Sequence, residues 1–223
     1  MASAAASPAP SPSSSSCQRW EVDSIVEGAD RPKDLVKKDL EKGLIVMLHK
    51  KTQIFKLINL TKNYFMVLQE GLTIAWIEDP LYWHRTTVSD LSRDLSVEVQ
   101  VAELRNIRWL DISGKLRWET LSRNTKYEIQ LHAKLLKDNT GCNDLKFEVA
   151  LPVPDAKVKL IPLDGKVQFN TDEEKEGKWQ DISLCEFERK DDTEEGEVKF
   201  CVHNHSDIWK RGLVVGGFSF KPM

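Results

Sequence analysis

The sequence has no closely spaced cysteines, no marked excess of charge of either sign and no long apolar run, and each absence closes off a class of protein. Its four cysteines, Cys17, Cys142, Cys185 and Cys201, are scattered over 223 residues without a C-x-x-C pair. A secreted scaffold stapled by disulfides needs a denser framework, so these are expected to be reduced thiols. Lysine and arginine number 32 against 35 acidic residues, a formal charge of −3. That balance supplies no global attraction for a phosphate backbone or an anionic membrane. Apolar stretches such as Gly43 to Leu48 fall far short of the ~20 residues needed to cross a bilayer. The sequence contains no G-x-S-x-G, H-E-x-x-H, G-x-G-x-x-G or phosphate-binding glycine loop, so enzyme chemistry has no positive signal.

What is present suffices for a folded core: 40% of residues are hydrophobic and 30% charged, outside the range of wholesale disorder. The length suits one large domain or one domain with an extension. Residues 1–16 are built from Ala, Ser and Pro and lack the basic and continuous apolar regions of a secretory signal, which favours a cytoplasmic protein. The composition also touches that of a plastid transit peptide, although no Arg precedes Arg19 and Pro recurs. Residues 1–30 are expected to form a disordered leader that does not pack on the fold, residues 31–42 a short helical extension, and residues 43–223 the main domain. Asp30 is the expected N-cap of the helix, Leu35 and Leu40 its apolar stripe, and Gly43 its stop.

After Gly43 the hydrophobic period becomes two. Ile54 to Ile58 and Tyr64 to Leu68 flank a turn at Asn59 to Asn63 and read as a hairpin. Tyr127, Ile129, Leu131, Ala133 and Leu135 alternate with Glu128, Gln130, His132 and Lys134, and the pattern recurs at Leu145 to Leu151 and Val198 to Val202. Leu72 to Ile77 and Leu104 to Ile112 are apolar on both sides. Turn signals at Ser113-Gly114, Asn139 to Gly141 and Asp164-Gly165 separate seven or more strands. The fold class is therefore all-β, an antiparallel β-sandwich behind a short helical extension, with no alternating strand-helix pattern that would build a nucleotide-binding sheet.

The densest aromatic cluster runs from Trp76 through Tyr82 and Trp83, around Glu78, Asp79 and Pro80. Ring faces at a strand end stack on the C–H face of a pyranose, and nearby carboxylates accept hydrogen bonds from its hydroxyls. Equally, Trp76 alternates with Leu72 and Ile74, which favours a place in the core, while Trp83 is balanced between core and surface. Cys201, His203 and His205 share one strand face by period two, but no further Cys or His at ligand spacing joins them, and no metal is expected. The acidic runs at 172–176 and 191–197 read as solvated loops. Lys37, Lys38, Lys50, Lys51, Lys56 and Lys62, interleaved with Tyr64 and Phe65, make a basic RNA- or protein-binding patch conceivable. A solvated basic face is the plainer reading.

Three motifs carry a resemblance. Val101 to Lys115 (VAELRNIRWLDISGK), I-x-W-x-x-x-P-x-Y-W at Ile74 to Trp83, and Trp209 to Phe218 (WKRGLVVGGF) together resemble the phloem protein 2 family of plant lectins, of the Nictaba type, over roughly residues 43–222. The resemblance implies a jelly-roll sandwich that binds N-acetylglucosamine oligomers or N-glycan cores without catalysis, in a phloem or defence setting. It implies sugar-binding roles for Trp76 and Trp83, a carboxylate role for Glu197, and a position near Asn204 where the family has a second Glu. It also places Arg85 where the family pattern has another tryptophan, and it finds no counterpart of a basic nuclear-import cluster. Weak single sites imply that avidity comes from more than one site, hence a homodimer. The alternative function is an RNA- or protein-binding phloem component.

Overall fold

The computed structural model describes residues 25–89, 91, 97–152, 161–172, 177–190 and 196–223. Among the described residues, helix α1 (Lys33–Glu41), with residues 25–28 also helical, precedes thirteen strands: β1 (Val46–Leu48), β2 (Gln53–Ile58), β3 (Lys62–Leu68), β4 (Thr73–Ile74), β5 (Trp83–Val88), β6 (Val99–Leu104), β7 (Leu110–Arg117), β8 (Thr125–Thr140), β9 (Lys146–Leu151), β10 (Ile161–Lys166), β11 (Gln180–Arg189), β12 (Glu197–Asn204) and β13 (Arg211–Pro222). They form two antiparallel sheets. The larger runs β1-β2-β3-β13-β6-β5, with β8 alongside β13 and β11 alongside β8; the smaller runs β10-β9-β12-β7-β4. The expected all-β sandwich is the observed architecture.

The alternating residues of β8 explain the packing. Tyr127, Ile129, Leu131 and Ala133 are fully buried between the sheets, where Phe200 of the smaller sheet meets Phe218 and Phe220 of β13 at ring-centroid distances of 4.7 and 5.5 Å. In β2 and β3 both faces are apolar because both are covered. Phe55, Phe65 and Val67 enter the central core, whereas Ile54, Met66 and Leu68 join Leu91, Val99, Val101 and Val214 in a second cluster.

Helix α1 begins later than the capping signal suggested. Pro32 is its N-cap, without a side-chain cap. Asp30 caps something else: its carboxylate accepts hydrogen bonds from the amides of Lys50 and Lys51 at 2.6 and 2.8 Å. His49, Lys50 and Lys51 all have positive φ, between 52° and 66°, and such left-handed backbone costs non-glycine residues roughly 1–2 kcal/mol each. The carboxylate holds that turn together, so Asp30→Ala is expected to lower stability by about 1–2 kcal/mol in urea unfolding. The helix stop is as expected. Gly43 has φ +66°, its amide reaches Leu40 O at 3.0 Å, and the Leu44 amide reaches Asp39 O at 2.9 Å, the paired closure that glycine permits at this position.

The expectation that residues 1–30 stand apart does not hold for the described part of that stretch. Ile25 and Val26 are buried with Val36, Leu40 and Leu48, and Ala29 bridges to Leu48. Two apolar residues, Ile25 and Val26, are enough to seat this segment against the helix and β1. Residues 1–24 lie outside the described residues.

Candidate functional site

The stretch Leu72 to Ile77 is mostly not strand. β4 ends at Ile74; Ala75 donates to Asp111 O at 2.9 Å, and Trp76 turns the chain with φ +64°. Turn chemistry then takes over. Asp79 Oδ1 accepts from the Leu81 amide at 2.9 Å, and the Tyr82 and Trp83 amides return to Asp79 O and close the loop.

This geometry overturns the core place expected of Trp76 and puts Trp83, balanced between core and surface in the sequence, inside. Trp76 is 62% exposed, whereas Trp83 is 2% exposed. The Trp83 indole lies in the core, and its Nε1 donates to Ala75 O at 2.9 Å, tying the strand that leaves the loop to the residue that enters it. With the Trp83 indole buried, its ring face is not open to a sugar in this arrangement. Arg85 forms an ion pair with Glu78, both exposed, and bridges the same loop from outside.

Two further loops meet this one at the same end of the sandwich. The Arg105 amide donates to Tyr82 O, and its guanidinium to Pro80 O at 3.3 Å. Ile107 and Lys210 exchange backbone hydrogen bonds at 2.7 and 2.9 Å. The Lys210 side chain is fully buried, yet its ammonium donates to Arg108 O at 2.5 Å, Ile208 O at 2.9 Å and Ser206 O at 3.0 Å. Burial pushes its pKa down, while the ring of carbonyls supplies the acceptors that a buried ammonium requires. Gly141 belongs to the same knot. With φ +68°, it leaves room for Trp209 O, which would lie 2.3 Å from any Cβ placed there.

The knot presents two more exposed indoles, Trp109 (55%) and Trp209 (46%). Trp109 stacks flat on His205, with centroids 3.9 Å apart at 6°. Arg108 lies 4.6 Å over the Trp209 ring, and Tyr82 lies 6.0 Å from Trp76. Each exposed indole thus has a supporting neighbour. Trp109 and Trp209 carried no assigned role in the sequence, although Trp109 shares strand parity with Asp111 and Ser113, and that parity was the available signal.

Asn204 lies at this end too, opposite Leu110 in the β7–β12 register. Its amide is engaged locally: Nδ2 donates to Asp144 O at 2.8 Å, and Oδ1 accepts from the Ser206 amide at 2.9 Å. Glu197 is not brought to the cluster. It starts β12, opposite Arg117 and paired with Lys115 at 2.7 Å, seven residues from Asn204, or about 23 Å along an extended strand.

A Ser-His-Asp series occurs elsewhere. His132 Nε2 is 2.7 Å from Ser219 Oγ, and its Nδ1 is 2.7 Å from Asp181. Ser219 is fully buried and His132 2% exposed, so a carbonyl carbon has no access to Oγ. The series is a polar seam joining β13, β8 and β11.

Cys142, Cys185 and Cys201 are free thiols, each pushed up to about 11, mainly by burial; Cys17 lies outside the described residues. A folded-state value above the unfolded one favours the fold below about pH 8.5, and this contribution is lost as pH rises toward 11. Stability should therefore fall between about pH 9 and 11. Urea titrations across that range should show a shallower fall for Cys142→Ala.

Against this geometry the family is plain. Residues 62–222 match the phloem protein 2 family, and the chain belongs to it. It is 30% identical over 204 residues to Protein PHLOEM PROTEIN 2-LIKE A1 of Arabidopsis thaliana, covering 90% of this chain and 79% of that one. It is 28% identical to a lectin of Luffa acutangula over 74% of this chain and 73% of that one. Among solved structures, the CBM22-1 xylan-binding domain of Paenibacillus barcinonensis Xyn10C overlaps with a TM-score of 0.39 at 14% identity, covering 69% of this chain and 86% of that one. No helix among the described residues is long and apolar enough to cross a membrane.

Proposed function

We propose that this chain is a lectin that binds N-acetylglucosamine oligomers or N-glycan cores without catalysis, its ligand lying on the loop rim that carries Trp76. The observation behind this reading is the group of three exposed indoles, Trp76, Trp109 and Trp209, on loops stitched to one another at one end of a rigid sandwich. Large apolar rings rimmed by polar groups mark ligand surfaces, and indole faces suit the C–H face of a pyranose. Membership of a family whose relatives include a lectin supports the same reading.

In this proposal Trp76 stacks on the sugar, Trp83 fixes the loop beneath it, and Asn204 shapes the adjoining turn. Glu197 serves only a ligand long enough to extend along the sheet. Glycoproteins are the partners, homodimers supply avidity, and the phloem cytoplasm is the setting. The basic-patch alternative loses one of its two aromatics, because Phe65 is 1% exposed, while Tyr64 is half-buried. Calorimetric titration with N-acetylglucosamine trimer, with xylotriose and an RNA oligonucleotide as comparators, tests the reading. Saturable heat with the first alone is expected. Binding of RNA at physiological salt without binding of any sugar would overturn it.

A further inference from the structure

The alternation of Cys201 and His203 along β12 puts both side chains on the outer face of the five-stranded sheet, and beyond His205 no further Cys or His at ligand spacing joins them in the sequence. The sheet register supplies one of a different kind. Glu148, 53 residues earlier on β9, pairs directly with Cys201. The Glu148 carboxylate, Cys201 Sγ and an imidazole nitrogen of His203 lie within 4.8 Å of one another, and His203 Nε2 is 3.2 Å from Glu148 Oε1. From these residues we infer a zinc-binding site, with Glu148, Cys201 and His203 as ligands.

The donor set and the spacing fit this ion. Zinc takes thiolate, imidazole and carboxylate together, with bonds of roughly 2.0–2.3 Å. Those lengths place ligand atoms roughly 3.5 Å apart in a tetrahedron, so small side-chain rotations close the observed triangle. Hard ions such as calcium and magnesium want oxygen donors and do not suit a thiol. Two carboxylates, Glu148 and Asp111, bear on the Cys201 sulfur and favour a cation there, although Lys146, opposite His203, and Lys199, two residues before Cys201, flank the cluster.

Asp111 also holds His205 at 3.2 Å, and the His205 ring lies 4.9 Å from that of His203, giving the site an ordered second tier. A groove of about 420 Å³ opens beside the cluster, lined by Thr73, Ser113, Lys199 and Cys201 among others. Glu148 and Cys201 both line it, so the cluster is reached from solvent. All three ligands sit on an outer sheet face, so their removal spares the core.

The test uses the full, reduced, chelator-stripped chain. Zinc binding is measured by competition with a chromophoric chelator, and cobalt(II) substitution is followed by absorption. One equivalent of zinc per chain and a thiolate-to-cobalt charge-transfer band are expected. Cys201→Ser should abolish the band, and Cys201→Ser, His203→Ala and Glu148→Gln should each weaken zinc at least about tenfold. Cys185→Ser should change neither. Absence of zinc binding overturns the inference, as does wild-type zinc affinity or an intact cobalt band in Cys201→Ser. Because sugar titration of the stripped chain is a separate measurement, failure here leaves the lectin reading standing, and the converse also holds.

Discussion

Trp83→Ala is expected to cost about 3–5 kcal/mol, the range for truncating a large buried aromatic. Set against the ~5–15 kcal/mol that holds a typical domain together, this is a large share of the total stability. Two effects combine. The indole fills core space at 2% exposure, and its Nε1 satisfies Ala75 O at 2.9 Å, so truncation leaves both a cavity and an unpaired carbonyl next to Trp76. Urea unfolding measures the cost, and sugar affinity lost in this variant reports the collapse of the loop. Trp83→Phe keeps most of the volume but loses the hydrogen bond. It should cost less and still loosen residues 75–82 in hydrogen exchange. Stability within about 1 kcal/mol of wild type for Trp83→Ala would mean that the indole is not packed as described.

The second large effect is expected at Lys210. Lys210→Met keeps the length of the side chain and deletes the ammonium that collects the carbonyls of Arg108, Ser206 and Ile208. Three acceptors in a tight knot then lose their donor, for an expected cost of about 3 kcal/mol or more. The damage should be local as well as global. Hydrogen exchange should speed up over residues 105–110 and 205–210, and the emission of Trp109 and Trp209 should change, while the far ends of the strands stay protected. Lys210→Arg should not rescue, because a planar guanidinium is too large and too differently shaped for this ring of carbonyls. Wild-type exchange rates in both loops of Lys210→Met would show that the ammonium does not organise the rim.

Strand alternation was legible wherever one face alone is buried. Val198 to Val202 declared its inward face directly, and the apolar residues of Tyr127 to Leu135 did so too, although Gln130 and His132 on the opposite face of β8 are also buried. The sequence-based expectation failed where the chain changes direction inside an apolar stretch. Leu72, Ile74 and Trp76 keep one parity in the sequence, yet the backbone leaves the strand after Ile74 and turns at Trp76 with φ +64°, so parity ceases to report burial. Trp83 opens a new strand with a parity of its own and goes inward. Asp30 looked like a helix cap because capping is judged from neighbours in sequence, whereas its partners Lys50 and Lys51 are twenty residues away. The same limit hid Lys210, whose acceptors include Arg108, and Glu148, which meets Cys201 only through strand pairing. The family resemblance covers Trp76, Trp109 and Trp209, indoles that the structure leaves exposed. It did not separate the indole that faces solvent from the one that holds the loop.

The most direct test of the lectin reading is calorimetric titration with N-acetylglucosamine trimer of wild type and of Trp76→Ala, a variant that removes a side chain 62% exposed and should leave the unfolding free energy within about 0.5 kcal/mol of wild type. Saturable binding by wild type and a loss of at least about fivefold in Trp76→Ala are expected, since stacking on one indole is worth about 1–3 kcal/mol. Undiminished affinity in a folded Trp76→Ala protein would contradict it and move the glycan away from this rim.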